Sequence, residues 1–278
     1  MSQILLVEDE RVTRHRIQKM LEDAGYDVTP VTNGAEALSH LDKKKFDLVL
    51  LDIWMPEMSG LDVLNELRNG ATHPKVVVMT ADDTPQTLID AVRHEAYQYV
   101  AKPVEPEDLL ALVEKAVQTT ETPPPIRVLS AKPHWVELAV PCERDAVERI
   151  QSFLSRLDAD LETNVREAIG RVFREMLLNA IEWGGKLDPT REVRVTYLRA
   201  KKMILYRIAD PGEGFRFEDL DHAAISNPED NPVGHMEARM SKGIRPGGFG
   251  ILMSQSLADE LLYNEARNEV VFIKYLDD

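Results

Sequence analysis

With a single cysteine in 278 residues, Cys142, the chain has no means of forming an internal disulfide and offers no cysteine cluster for a metal. That scarcity suits a reducing compartment, and Cys142 reads as a small packed or surface residue beside Pro141. Positive charge is also short, with 33 Lys and Arg against 48 Asp and Glu and a formal charge of -15. Such a balance argues against non-specific attraction to nucleic acid or anionic lipid, which leaves proteins and small phosphates as the expected partners. No apolar run approaches the ~20 residues that a membrane span needs. The opening MSQILLVEDE lacks the basic start and apolar core of a signal peptide, so a cytoplasmic protein with no membrane partner is expected. Internal repeats and low-complexity tracts are missing too.

What is present divides in two. At 278 residues two cores are the default expectation. TTETPPP at 119–125 carries three consecutive prolines, which favour an extended, semi-rigid segment. The expected organisation is a domain over 1–120, a Pro-rich linker over 121–132 and a second domain over 133–278.

Before the break, apolar runs at 4–7, 27–31, 47–51, 75–79 and 97–100 alternate with amphipathic stretches of helical spacing, such as Ile17, Met20, Leu21 and Ala24. Short strands that are apolar on both faces and separated by helices predict a five-stranded, doubly wound parallel sheet, an α/β domain with its ligands at the carboxyl ends of the strands. After the break the pattern predicts a strand at 135–140, helices at 144–157 and 161–183, and adjacent strands at 192–200 and 202–209. An irregular stretch over 211–248, a helix from Phe249 and two closing strands follow. Consecutive strands imply an antiparallel or mixed sheet, so this half is α+β. A long structureless stretch is tolerated in a compact domain when it works as a lid.

In the first half Glu8 and Asp9 follow the first strand and Asp52 the third, positions that converge in a doubly wound sheet. Three adjacent carboxylates repel one another, and a hard cation such as Mg2+ relieves that repulsion. Thr80 ends the fourth strand and Lys102 follows the fifth; a hydroxyl and an ammonium at that edge suit phosphoryl oxygens while Asp52 acts as nucleophile. Each residue alone is an ordinary cap or loop residue. Together ILLVEDE, LDIWMPEMSGLDVL, VVVMTA and YVAKP resemble the receiver domain of two-component response regulators, with its flavodoxin-like fold. The resemblance makes Asp52 the phosphoacceptor, Glu8 and Asp9 Mg2+ ligands beside it, Thr80 the switch hydroxyl, Lys102 the phosphate-contacting lysine and Tyr99 the switch aromatic. It also implies a cognate sensor histidine kinase. Lys43 to Lys45 read as a solvated helix end.

In the second half Glu175 and Asn179 stand four apart on one helix, beside an apolar stripe of Val165, Ile169, Val172, Met176 and Ala180. Such a pair suits an oxygen ligand for Mg2+ and a proton acceptor, although surface pairs share the spacing. Asp210 opens DPGEGF, where Gly212 and Gly214 let backbone approach a ring. RPGGFGILM places Gly247, Gly248 and Gly250 at a helix start, where free N–H groups favour phosphate.

The ordered set REMLLNAIEWG, DPGEGF, GGFGILM and ELLYNEARNEVVFIKY resembles the GHKL-type (Bergerat) ATPase domain over roughly 133–276, and within it the anti-sigma-factor serine kinase branch. The resemblance makes Glu175 the general base, Asn179 the Mg2+ ligand, Asp210 the adenine reader, and Gly212, Gly214, Gly248 and Gly250 the glycines of an ATP pocket. Residues 215–247 become the ATP lid, with Arg239, Lys242 and Arg245 as its cations. Trp183 departs from the histidine that this branch often carries.

The function so implied is a receiver-controlled serine kinase that uses ATP and Mg2+ to phosphorylate a STAS-type anti-sigma-factor antagonist, and so governs sigma factor availability. The alternative is a non-catalytic partner switch that binds the antagonist or a sigma factor. A histidine kinase would need a helical hairpin bearing its phosphoacceptor, and the few residues between Pro125 and Trp135 leave no room for one. Both families commonly dimerise, so a homodimer is expected.

Overall fold

The computed structural model describes residues 1–69, 74–81, 84–118, 123–132, 134–216, 223–224, 234–241 and 248–276, with only the backbone of Pro85, Ala238 and Arg239. The chain forms two compact units, Met1–Pro125 and Ile126–Asp278.

The first unit alternates strands β1 (Gln3–Val7), β2 (Asp27–Val31), β3 (Leu48–Asp52), β4 (Lys75–Thr80) and β5 (Gln98–Ala101) with helices. These are α1 (Arg11–Asp23), α2 (Gly34–Leu41), α3 (Gly60–Asn69), α4 (Pro85–Arg93) and α5 (Pro106–Gln118). Every strand pair is parallel and the order is β2-β1-β3-β4-β5. The central strands are buried on both faces because helices cover both: all five residues of β3 and all six of β4 are buried. One core joins Ile4, Leu6, Leu48, Leu50, Val77 and Met79 to Ile17, Leu21, Leu109 and Val113 of the helices.

Helix starts follow the capping chemistry of the sequence. Asn33 accepts the Glu36 N–H at 2.9 Å while the Glu36 carboxylate reaches back to the Thr32 N–H at 3.0 Å. Ser59 and Asp62 cap α3 reciprocally. Gly60 is there for space: a methyl group would stand under 3.0 Å from the Asp52 carbonyl oxygen and from Ile53 Cα, so α3 begins pressed against the end of β3.

The second unit begins earlier than the sequence reading has it. Within the expected linker, residues 127–132 form strand β6 (Arg127–Lys132), paired antiparallel with β7 (Trp135–Pro141). Its sequence RVLSAK is short and polar because it is an edge strand with no fully buried residue. Helices α6 (Arg144–Leu157) and α7 (Thr163–Asn179) follow; then Ala180–Gly184 make a π-helical turn, so the expected single helix over 161–183 changes pitch at its end.

Strands β8 (Glu192–Ala200) and β9 (Met203–Ala209), helices α8 (Gly234–Ser241) and α9 (Gly250–Leu257), and strands β10 (Glu260–Tyr263) and β11 (Glu269–Tyr275) complete it. The sheet is antiparallel in the order β10-β11-β9-β8-β7-β6. Its inward residues Val195, Tyr197, Ile204, Tyr206 and Phe272 are buried, as are Ile150, Phe153, Ile169 and Phe173 of α6 and α7. Tyr206 lies parallel to Phe272 at 5.0 Å between centroids and tilted against Phe173 at 5.1 Å, a contact that locks α7 onto β9.

Candidate functional site

In the first unit the carboxyl ends of β1 and β3 and the residue after β5 meet at one edge. Ligand oxygens of Glu8, Asp9 and Asp52 lie within 4.8 Å of one another, with Glu8 and Asp52 buried and Asp9 exposed. Lys102 Nζ bridges Glu8 Oε2 at 2.6 Å and Asp52 Oδ2 at 2.7 Å. One ammonium against three carboxylates leaves the edge negative, and the all-oxygen donor set fits a hard divalent cation. Burial lifts the Glu8 pKa above the usual carboxylate value, against the pull of Lys102. Burial works against the Lys102 ammonium, yet the hydrogen bonds to Asp52 and Glu8 prevail and hold its pKa above the ordinary lysine value.

Thr80 is fully buried at the end of β4, and its carbonyl accepts the Lys102 N–H at 2.8 Å, which ties the lysine to the strand beside Asp52. Tyr99 is buried on β5, in register with Val78. Sequence reasoning missed Arg14, whose guanidinium holds the carbonyls of Glu8 and Asp9 at 2.7 and 2.9 Å and so fixes the acidic loop. A lone arginine on α1 gave no signal.

In the second unit Glu175, Asn179, Asp210, Gly212, Gly214, Gly248 and Gly250 line one cavity of about 780 Å³. Its apolar wall is Met176, Ala180, Ile208, Ile251 and Val270. Asp210 sits at the mouth of β9, where its Oδ1 accepts the Gly212 N–H at 2.7 Å. Burial raises its pKa, opposed by that N–H and by Arg191. Gly214 adopts φ +87°, and a methyl there would strike the Ala266 carbonyl. The Phe215 N–H donates to that carbonyl at 3.2 Å, and Asn268 Nδ2 donates to Gly212 O at 3.0 Å. The DPGEGF turn is thus latched to the loop between β10 and β11.

Gly248 has φ +105° and leads into α9, whose first residue, Gly250, packs against the Glu175 carboxylate so closely that a methyl group there would displace it. The helix-start N–H groups and Glu175 therefore share one corner of the cavity.

The sequence did not mark Lys186, Arg191, Tyr263, Arg267 or Asn268, which also line the cavity. Lys186 and Arg191 stand outside any motif, and Tyr263, Arg267 and Asn268 lie within ELLYNEARNEVVFIKY with no role of their own assigned there; the fold collects all five. Tyr263 forms part of the floor, its hydroxyl donating to Met176 Sδ at 3.5 Å and its pKa pushed up to about 12 by burial. Within the expected lid, Gly234–Ser241 form α8, and His235 is buried with its ring edge-on to Phe249 at 4.5 Å. Lys242, Arg245 and Gly247 lie outside the described residues, as does the Arg239 side chain. Cys142 is buried, with burial pushing its thiol pKa up to about 11. Among the described residues no helix is long and apolar enough to cross a membrane.

Fold and site together define a two-unit protein, a parallel α/β unit with an acidic, lysine-bridged edge and an antiparallel unit with a cavity of about 780 Å³. Residues 4–114 match the response regulator receiver domain and residues 140–274 the histidine kinase-like ATPase domain. Among curated relatives, the chain is 31% identical over 199 residues to the alginate biosynthesis transcriptional regulatory protein AlgB of Pseudomonas aeruginosa, covering 72% of this chain and 42% of that one. The chain thus spans less than half the length of that relative. With the DNA-binding response regulator MtrA of Mycolicibacterium smegmatis it shares 32% identity over 202 residues, 71% of this chain and 86% of that one. Among solved structures, the receiver domain of a Francisella response regulator is 24% identical, covers 44% of this chain and 100% of its own, and superposes with a TM-score of 0.42. The chain belongs to the response regulators, and its second unit is an ATPase-like domain, which implies ATP binding.

Proposed function

We propose that Asp52 accepts a phosphoryl group from a cognate sensor histidine kinase, and that this controls transfer of phosphate from ATP to a serine of a STAS-type anti-sigma-factor antagonist. The observation that carries the reading is the convergence of Glu175, Asn179, Asp210 and four glycines, scattered between 175 and 250 in sequence, on one cavity.

At the receiver edge an Asp52 carboxylate oxygen attacks phosphorus, and the phosphorus–nitrogen bond of the donor phosphohistidine breaks. Lys102, already on Asp52, follows the charge onto the phosphoryl oxygens, and the Thr80 hydroxyl joins them. Tyr99 fills the space the threonine vacates. Glu8, Asp9 and Asp52 would hold Mg2+, which offsets the charge of the incoming group.

In the cavity Asp210 accepts the exocyclic amine of adenine, Gly212 and Gly214 let backbone reach the ring, and the start of α9 at Gly248 and Gly250 receives phosphate oxygens. Asn179 would hold the Mg2+ that accompanies ATP. Glu175 takes the proton of the acceptor serine as its oxygen attacks the γ-phosphorus and the bond to ADP breaks. Of the curated relatives, AlgB is named as a transcriptional regulatory protein and MtrA as a DNA-binding response regulator. Control of sigma factor availability changes transcription without DNA contact, in keeping with a net charge of -15. A cytoplasmic homodimer fits this role.

The test is incubation of the protein with γ-labelled ATP, Mg2+ and an antagonist-type protein of the same organism, with and without an acyl phosphate donor for Asp52. Acid-stable label on the antagonist that changes with the donor supports the reading. ATP binding without transfer favours the partner switch instead.

A further inference from the structure

We propose that Gly184 is a positioning residue that sets the base selectivity of the nucleotide cavity by fixing the Asp210 carboxylate. The inference rests on the reading of Asp210 as the adenine acceptor and adds to it the element that makes that acceptor selective.

The π-helical turn after α7 delivers Gly184 to this place. The Gly185 N–H donates five residues back, to the Ala180 carbonyl at 2.8 Å, and the Leu187 N–H donates to the Ile181 carbonyl at 3.1 Å. This wider turn carries Gly184 off the line of α7 and against β9. A methyl group on Gly184 would stand under 3.0 Å from Oδ1, Cγ and Cβ of Asp210. The requirement is space and not backbone conformation, since Gly184 is not among the glycines with positive φ.

The opposite side is closed as well. A methyl group on Gly212 would fall under 3.0 Å from Asp210 Oδ1 and from Gly184 Cα, while the Gly212 N–H holds that same oxygen at 2.7 Å. Behind the turn, a methyl group on Gly185 would strike Sγ and Cβ of the buried Cys142. Two glycine backbones therefore clamp the carboxylate in one orientation, and Cys142 backs the clamp. Oδ1 is spent on Gly212, and no described residue donates to Oδ2, on a side chain that lines the cavity. A fixed acceptor with one open oxygen favours a base that offers an amine and repels one that offers a carbonyl at the same position.

Calorimetric titration of the full chain with ATP and with inosine triphosphate, which carries a carbonyl in place of the amine, tests the inference. The wild type should prefer ATP by about tenfold or more, the worth of a hydrogen bond to a charged group. Gly184→Ala should weaken ATP about tenfold and inosine triphosphate less than about twofold, so that discrimination is lost. Equal losses for both nucleotides, or no loss for either, overturn the inference. Should Gly184→Ala fold poorly, Asp210→Gly removes all three opposing atoms; adding Gly184→Ala to that variant should leave its melting temperature unchanged. A further drop there places the clash elsewhere and also overturns it. A wild type that binds neither nucleotide refutes the ATP reading itself, and the inference falls with it.

Discussion

Replacing Asp158 by asparagine should make the stability of the second unit less sensitive to pH. Asp158 lies just past α6, 2% exposed, where its Oδ1 accepts the Tyr197 hydroxyl at 2.7 Å and its Oδ2 the Tyr206 hydroxyl at 3.2 Å. Burial lifts its pKa from 3.8 to about 6, against the pull of both tyrosines and of Arg199. A carboxyl whose pKa is higher in the folded chain takes up a proton on folding. Its favourable contribution is therefore complete below the unfolded value of 3.8 and is lost as pH rises through about 6. At 1.36 kcal/mol per unit, the shift of about two units makes the ionised, buried group a cost of about 3 kcal/mol at neutral pH.

Asparagine keeps one acceptor and forfeits one hydrogen bond, an offset of about 1 kcal/mol that does not vary with pH. The stability of Asp158→Asn relative to the parent should then rise by about 2.4 kcal/mol between about pH 4 and pH 7. Urea unfolding followed by tryptophan fluorescence reads this out in a Trp54→Phe background, where Trp135 and Trp183 remain and both belong to the second unit. Trp54 is 58% exposed, so its replacement costs little. A difference that stays flat across that range would refute the buried-carboxylate argument.

Other outcomes follow from the same geometry. Asp52→Asn should abolish the hydroxylamine-sensitive label that the wild type takes from a small acyl phosphate, and persistent label would move the acceptor elsewhere. Glu175→Gln should leave the affinity for ATP within a few-fold and slow transfer to a serine substrate by about 100-fold or more, read by single-turnover labelling. Gly214→Ala forces a left-handed residue against the Ala266 carbonyl and should destabilise the second unit by about 2–4 kcal/mol in chemical denaturation. Phe173→Ala, which removes the ring between α7 and Tyr206, should cost about 3–5 kcal/mol by the same assay.

The first unit was legible almost residue by residue, because a parallel sheet covered on both faces writes each strand as a short apolar run. A boundary moved by a residue where the last strand residue is polar: Asp52 belongs to β3, not to the loop after it, while Thr80 ends β4 as expected. Strand β6 stayed hidden because an edge strand buries no face. The π-helical turn stayed hidden because five residues of ordinary helix-compatible type carry no sign of a change in pitch. The acidic, amide and glycine positions of the cavity were readable since each has a chemical reason at its own place in the chain.

Sequence by itself determined the two units, most of their strands and helices and the residue types that bear the chemistry, for these depend on local periodicity and on side-chain identity. Tertiary structure alone decided that Lys102 bridges two carboxylates, that Arg14 pins the acidic loop, and that Gly184 and Gly212 clamp Asp210. Those are contacts between residues distant in the chain, whose separations are set by how strands register and helices turn, and no local pattern records them.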